Sequence, residues 1–66
     1  MTVQFRVQFL DSSTRVIREH VAEARHAADA VALAVDLDWP PRAEIMRVLD
    51  LDGFEVHSRI KGDTKP

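Results

Sequence analysis

Cysteine is absent from this chain of 66 residues, so disulfides and thiolate metal sites are excluded as supports for its fold. A domain near this size buries only about 60% of the surface that its unfolded chain exposes, which leaves a small margin of stability. Domains this small commonly gain stability from disulfides, a bound metal or a partner subunit. Because the first of these is excluded, association with a second copy is the most available supplement, and we predict a homodimer.

Glycine, aromatic residues and long apolar runs are also scarce. The two glycines form no glycine-rich loop for a phosphate group, and an aromatic content of 6% is too low for a platform on which bases stack. No apolar run approaches the roughly 20 residues that span a bilayer. The opening sequence MTVQFRVQFL is too polar for a signal peptide. We therefore expect a cytoplasmic protein with no membrane partner.

The charge balance disfavours a dedicated nucleic-acid-binding protein, because nine basic residues stand against eleven acidic ones and the net charge is −2. The hydrophobic content of 45% is typical of a globular domain and not of a disordered chain. No linker or internal repeat divides the sequence. Residues 1–61 are therefore predicted to form one small domain, and the polar residues 62–66 a frayed tail.

The first part of the chain predicts two strands. The sequence TVQFRVQFL alternates with period two, which is typical of a strand with one buried face. Its apolar positions are Val3, Phe5, Val7 and Phe9. The turn residues DSS follow, and TRVIREHVAEA predicts a second strand that pairs antiparallel with the first. Because the alternation is interrupted around Val16 and Ile17, we expect a bulge or a change of face.

One helix is predicted over RHAADAVALAVDL, which is rich in alanine and has no internal glycine or proline. We place the N-cap near His26, with Asp29 in the first turn, where its charge meets the positive end of the helix dipole. Pro40 disfavours helical geometry at Trp39, so the helix ends by about Asp38. Its apolar stripe consists of Ala27, Ala30, Val31, Ala34 and Leu37.

The sequences EIMRVLDL and FEVHSRI predict a third and a fourth strand, joined by a hairpin turn at Asp52 and Gly53. The element order β-β-α-β-β predicts an α+β fold, in which one helix packs on one face of a four-stranded, mainly antiparallel sheet. A two-residue loop would place Asp50 opposite Glu55, and a three-residue loop would place Val48 opposite Val56. Both registers leave apolar residues on both faces of the third strand, and a single helix covers one face only.

The sequence offers little for catalysis, metal or a cofactor. DLDGFE lacks the ligand spacing of a calcium loop, and none of the three histidines is paired at helical spacing for a metal. The serines and threonines belong to no nucleophile motif. A monomer of this size rarely encloses a pocket. We therefore predict a protein that is not an enzyme and binds neither a metal nor a cofactor.

The remaining signals favour binding to another macromolecule. We expect a homodimeric protein-interaction or accessory module; the alternative is a nucleic-acid-binding module with a basic outer sheet face. Trp39 is either a plug that closes the core or an anchor for a partner, whereas the three phenylalanines, including Phe54, are expected in the core. The candidate partner-binding residues are Trp39, Arg42, Arg6, Arg18, His57, Arg59 and Lys61.

Overall fold

The computed structural model describes residues 1–61, and the predicted tail at 62–66 lies outside the described residues. The elements are β1 (Val3–Leu10), β2 (Val16–Ala24), α1 (Ala27–Val35), β3 (Ile45–Leu49) and β4 (Glu55–Ile60). The strands form one antiparallel sheet in the order β2-β1-β3-β4. The predicted α+β fold, with a β-β-α-β-β order, is confirmed.

The helix begins and ends close to the predicted positions. His26 is the N-cap, in an extended conformation, and Asp29 lies in the first turn. At the other end, Asp36 is the C-cap, and its backbone N–H donates to the carbonyl oxygen of Leu33 at 3.2 Å. The helix is therefore complete before the two prolines, as their restriction on the preceding backbone requires.

The core lies between α1 and one face of the sheet. Ala30 and Ala34 on the helix are fully buried, because their small side chains let the helix approach the strands closely. The core cluster consists of Phe5, Val7, Phe9, Ala24, Ala30, Ala34, Ala43, Met46 and Val48. The rest of the predicted helical stripe, at Ala27, Val31 and Leu37, packs against this cluster.

The two hairpins have loops of the same geometry. In the first, Asp11 Oδ1 accepts the backbone N–H groups of Ser13 at 2.9 Å and of Arg15 at 3.0 Å. In the second, Asp50 Oδ1 accepts the N–H groups of Asp52 and Phe54, both at 2.9 Å. Each aspartate side chain therefore satisfies two backbone donors that the turn would otherwise leave unpaired.

The fourth position of each loop has a positive φ. It is Thr14, at 64°, in the first hairpin and Gly53, at 90°, in the second. The backbone N–H of this residue donates to the carbonyl oxygen of the loop aspartate in both hairpins. Glycine adopts this conformation without strain, whereas a β-branched threonine does not.

A β-bulge follows each loop, at Ile17 in β2 and at Val56 in β4. Next to the second loop, Leu49 lies opposite Glu55, as in the three-residue register; beyond the bulge, Ile45 lies opposite Ile60, as in the two-residue register. The hairpin thus combines both predicted registers. Asp50 closes the loop with Phe54 and does not lie opposite Glu55, so the expected contact between like charges is not made.

The two hairpins are related by an approximate two-fold axis normal to the sheet. β1 and β3 are the central antiparallel strands, and Gln8 and Arg47 lie opposite each other between them. These two residues hold equivalent positions in their hairpins, as do Asp11 and Asp50. The axis passes between Gln8 and Arg47, and α1 covers one face only. This relation between the hairpins is one of backbone geometry, and their amino-acid sequences show little similarity.

Candidate interaction surface

The face of the sheet opposite α1, called here the open face, carries three rows of side chains that run across the strands. The apolar row consists of Val16, Leu10, Ile45 and Ile60. The polar row consists of Glu19, Gln8, Arg47 and Ser58. The mixed row consists of Val21, Arg6, Leu49 and Glu55.

The apolar row is a second hydrophobic cluster, separate from the core under the helix. Leu10 is only 3% exposed but does not belong to the core cluster. At the edges of the sheet, Val16 and Ile60 are exposed, Ile60 by 57%. An apolar row of this kind on a solvent-facing sheet is a feature of surfaces that bind another protein.

The polar row is held together by hydrogen bonds between side chains. Gln8 Nε2 donates to Glu19 Oε2 at 2.7 Å, and Arg47 Nε donates to Gln8 Oε1 at 2.9 Å. The Gln8 amide thus joins a carboxylate to a guanidinium, although Gln8 itself is only 8% exposed. Because these groups already satisfy one another, the row can be covered by another surface at a lower cost than isolated charges would impose.

The mixed row adds exposed apolar surface at its edge. Val21 is 61% exposed, and the bulge residue Val56 is also exposed beside Glu55. Arg6 lies in this row between Val21 and Leu49. The helix residues Ala30 and Ala34 belong to the core cluster on the other face of the sheet.

The predicted basic face is not formed. Arg6 lies on the open face, whereas Arg18, His57 and Arg59 lie opposite Phe9, Val48 and Met46 and so share the face of the core. The reason is the pair of bulges, each of which shifts the pairing by one residue and moves the following side chains to the other face. His20 lies on the core face too, with its ring 6.2 Å from that of Phe9.

Trp39 packs against the core cluster and is partly buried. Its ring centroid lies 5.4 Å from that of Phe9, at an interplanar angle of 63°, which is an edge-to-face contact. This position is that of a plug at the end of the core, and an anchoring role in partner binding stays a prediction. Phe54, which the sequence placed in the core, is 69% exposed, so that expectation is wrong. Its carbonyl oxygen accepts the backbone N–H of Asp50, which closes the hairpin loop.

The last two candidate partner-binding residues, Arg42 and Lys61, lie outside the strands and apart from each other. Arg42 is exposed in the connection before β3, with a φ of 76°. Lys61 follows β4, and its backbone N–H donates to the carbonyl oxygen of Glu44 at 2.7 Å. The seven candidate residues therefore do not form one site.

Other candidate chemistry is sparse within residues 1–61. No group of three or more histidine, aspartate or glutamate side chains there could hold a metal ion, and no described helix is long and apolar enough to cross a membrane. A hollow of about 450 Å³ lies between α1 and the end of β2, lined by Glu23, Arg25, Asp29, Leu33 and Asp36 among others.

Comparison of the chain with protein-family models, with curated proteins and with solved structures finds no match. The functional argument is therefore carried by the geometry of the open face. Of its residues, sequence reasoning identified only Arg6 as a binding candidate and missed Gln8, Glu19 and Arg47. In the sequence, each of these residues is only a polar position near the middle of a predicted strand. The strand register is needed to show that the three side chains lie side by side in one row.

Proposed function

We propose that this chain is a non-catalytic protein-interaction module that works as a cytoplasmic homodimer, with the open face as its association surface. The observation that carries the proposal is the combination of exposed apolar side chains with a polar row whose members bond to one another. The occupant we favour is a second copy of the chain, because a domain of this size gains most from burying a face that α1 leaves uncovered.

Burial of the open face supplies the driving force for association. Each Å² of apolar surface removed from water stabilises the assembly by about 25 cal/mol before the cost of ordering two chains is subtracted. Val21 and Ile60 on the two outer strands, with Leu49 and Ile45 on β3, distribute this apolar surface over three of the four strands. Such a spread favours a flat, extended contact and not the insertion of one side chain into a pocket.

The molar mass in solution tests the proposal. Sedimentation equilibrium over a wide range of protein concentration is expected to give the mass of two chains, with dissociation to single chains on dilution. A mass of 7.5 kDa, that of one chain, at every concentration would contradict homodimerisation.

Nucleic-acid binding is the alternative, and the register gives it no support. Arg6 is separated by the sheet from Arg18 and Arg59, and the open face that it shares also carries Glu19, Glu23 and Glu55. We therefore expect no binding to generic duplex DNA or RNA at about 50 mM salt. Binding that weakens steeply as salt is raised would favour the alternative over the dimer as the function of this surface.

A further inference from the structure

We propose that the two copies pack open face to open face about a two-fold axis that runs parallel to the strands, between β1 and β3. This arrangement rests on the proposed function and specifies its geometry. Two antiparallel sheets stack about 10 Å apart, with their strands aligned to within roughly 30°. A two-fold axis in the plane between them can run along the strands or across them, and the charges on the open face distinguish the two directions.

An axis along the strands places β1 over the partner's β3 and β2 over the partner's β4. Each row of side chains then faces the same row of the partner subunit. In the apolar row, Leu10 then faces Ile45 of the partner subunit, and Val16 faces Ile60 of the partner subunit. Both contacts occur twice because the interface is isologous. The row buries its exposed ends, Val16 and Ile60, against apolar side chains only.

The polar row is also compatible with this axis. Arg47 faces Gln8 of the partner subunit, and Glu19 faces Ser58 of the partner subunit. In the mixed row, Arg6 faces Leu49 of the partner subunit. No charge meets a like charge in any of the three rows, and the hydrogen-bonded chain from Glu19 through Gln8 to Arg47 remains intact in each copy.

An axis across the strands at the level of the polar row, which is the middle one of the three, gives the opposite result. Each strand then covers its own copy, so the polar row lies on itself in reverse direction along the strands. Arg47 faces Arg47 of the partner subunit, and Glu19 faces Glu19 of the partner subunit. Like charges brought together in a surface that excludes water are strongly unfavourable. This axis also breaks the apolar row, because Leu10 then faces Arg6 of the partner subunit. The charge pattern therefore favours the axis along the strands over this crosswise axis.

Ser58 gives a pair of matched variants that report on the axis. With the axis along the strands, Ser58→Lys brings an ammonium to Glu19 of the partner subunit and is expected to tighten the dimer several-fold at low salt. Ser58→Glu brings a second carboxylate to the same place and is expected to weaken the dimer several-fold. With the axis across the strands, Ser58 faces Ser58 of the partner subunit, so both variants would weaken the dimer, and that result would overturn the arrangement.

The absence of cysteine from the natural sequence allows a direct test by cross-linking. Val16→Cys/Ile60→Cys places two thiols on opposite edges of one sheet, three strand spacings apart, or about 14 Å. In the proposed dimer, the thiol at position 16 lies near the thiol at position 60 of the partner subunit, and the reverse pair forms as well. A short bismaleimide is therefore expected to link this variant into covalent dimers, and to leave the control Val16→Cys/Val21→Cys unlinked between chains.

The two proposals fail in different ways. The molar masses of the two double-cysteine variants are first measured in solution, without the cross-linker. If they are dimers and the control is linked instead of Val16→Cys/Ile60→Cys, the axis along the strands is overturned and the homodimer stands. If the natural chain and both variants are monomers, the arrangement falls together with the proposed function. Efficient linking of Val16→Cys/Ile60→Cys alone supports both.

Discussion

At the scale of single residues, the loop aspartates have the clearest structural role. Asp50 Oδ1 accepts two backbone N–H groups, while Asp52 lies in the same loop and contributes only its own N–H to that arrangement. Asp50→Ala is therefore expected to lower the free energy of unfolding by about 1–2 kcal/mol, because two donors lose their acceptor. Asp52→Ala makes the same change of charge and is expected to have little effect. Urea unfolding measures both, and equal losses would contradict this role of Asp50.

Trp39 is expected to contribute to stability through its contact with Phe9. Trp39→Ala should lower the free energy of unfolding by about 2–3 kcal/mol, somewhat less than for a fully buried tryptophan. Phe54→Ala removes a comparable ring from an exposed position and should cost less than about 0.5 kcal/mol. Thermal and urea unfolding of the two variants, compared side by side, measures this difference. A Trp39→Ala protein that is as stable as the natural chain would place the tryptophan outside the core and favour a role as an anchor.

At the scale of elements, the two hairpins differ in one costly respect. Thr14 holds a positive φ at the position where the other hairpin has Gly53. Thr14→Gly is expected to raise the free energy of unfolding by about 1 kcal/mol, because the left-handed conformation is unfavourable for a side chain with a Cβ. Gly53→Ala should lower it by a similar amount, although a Cβ there would meet no heavy atom within 4 Å. Loss of stability in Thr14→Gly would show that the threonine is not strained.

Sequence patterns predicted the elements well and the faces of the outer strands poorly. The alternation in β1 and the cap at His26 are local signals, so β1 and the start of α1 could be placed directly. The bulges at Ile17 and Val56 arise from how each loop joins its two strands. A shift of one residue moves every following side chain to the other face, and therefore Arg18, His57 and Arg59 were assigned to the wrong side.

At the scale of the whole molecule, two equivalent hairpins form one four-stranded sheet, and the helix of the described residues covers one of its faces. The surplus of apolar residues on the third strand already predicted an uncovered face. The sequence could not show that its polar members form one bonded row, since Gln8 and Arg47 are brought together by a pairing between distant strands. The identity of a partner leaves no local pattern in the chain at all.

The central claim is that two copies associate through the open face, and a matched pair of variants tests it most directly. Ile60 on the open face and Leu33 on α1 are similarly exposed, at 57% and 49%. Sedimentation velocity should show that Ile60→Glu weakens the dimer at least tenfold, a change of about 1.4 kcal/mol, while Leu33→Glu leaves it unchanged. Unfolding curves confirm that both variants stay folded. A dimer that survives Ile60→Glu and dissociates with Leu33→Glu would contradict the assignment of the open face.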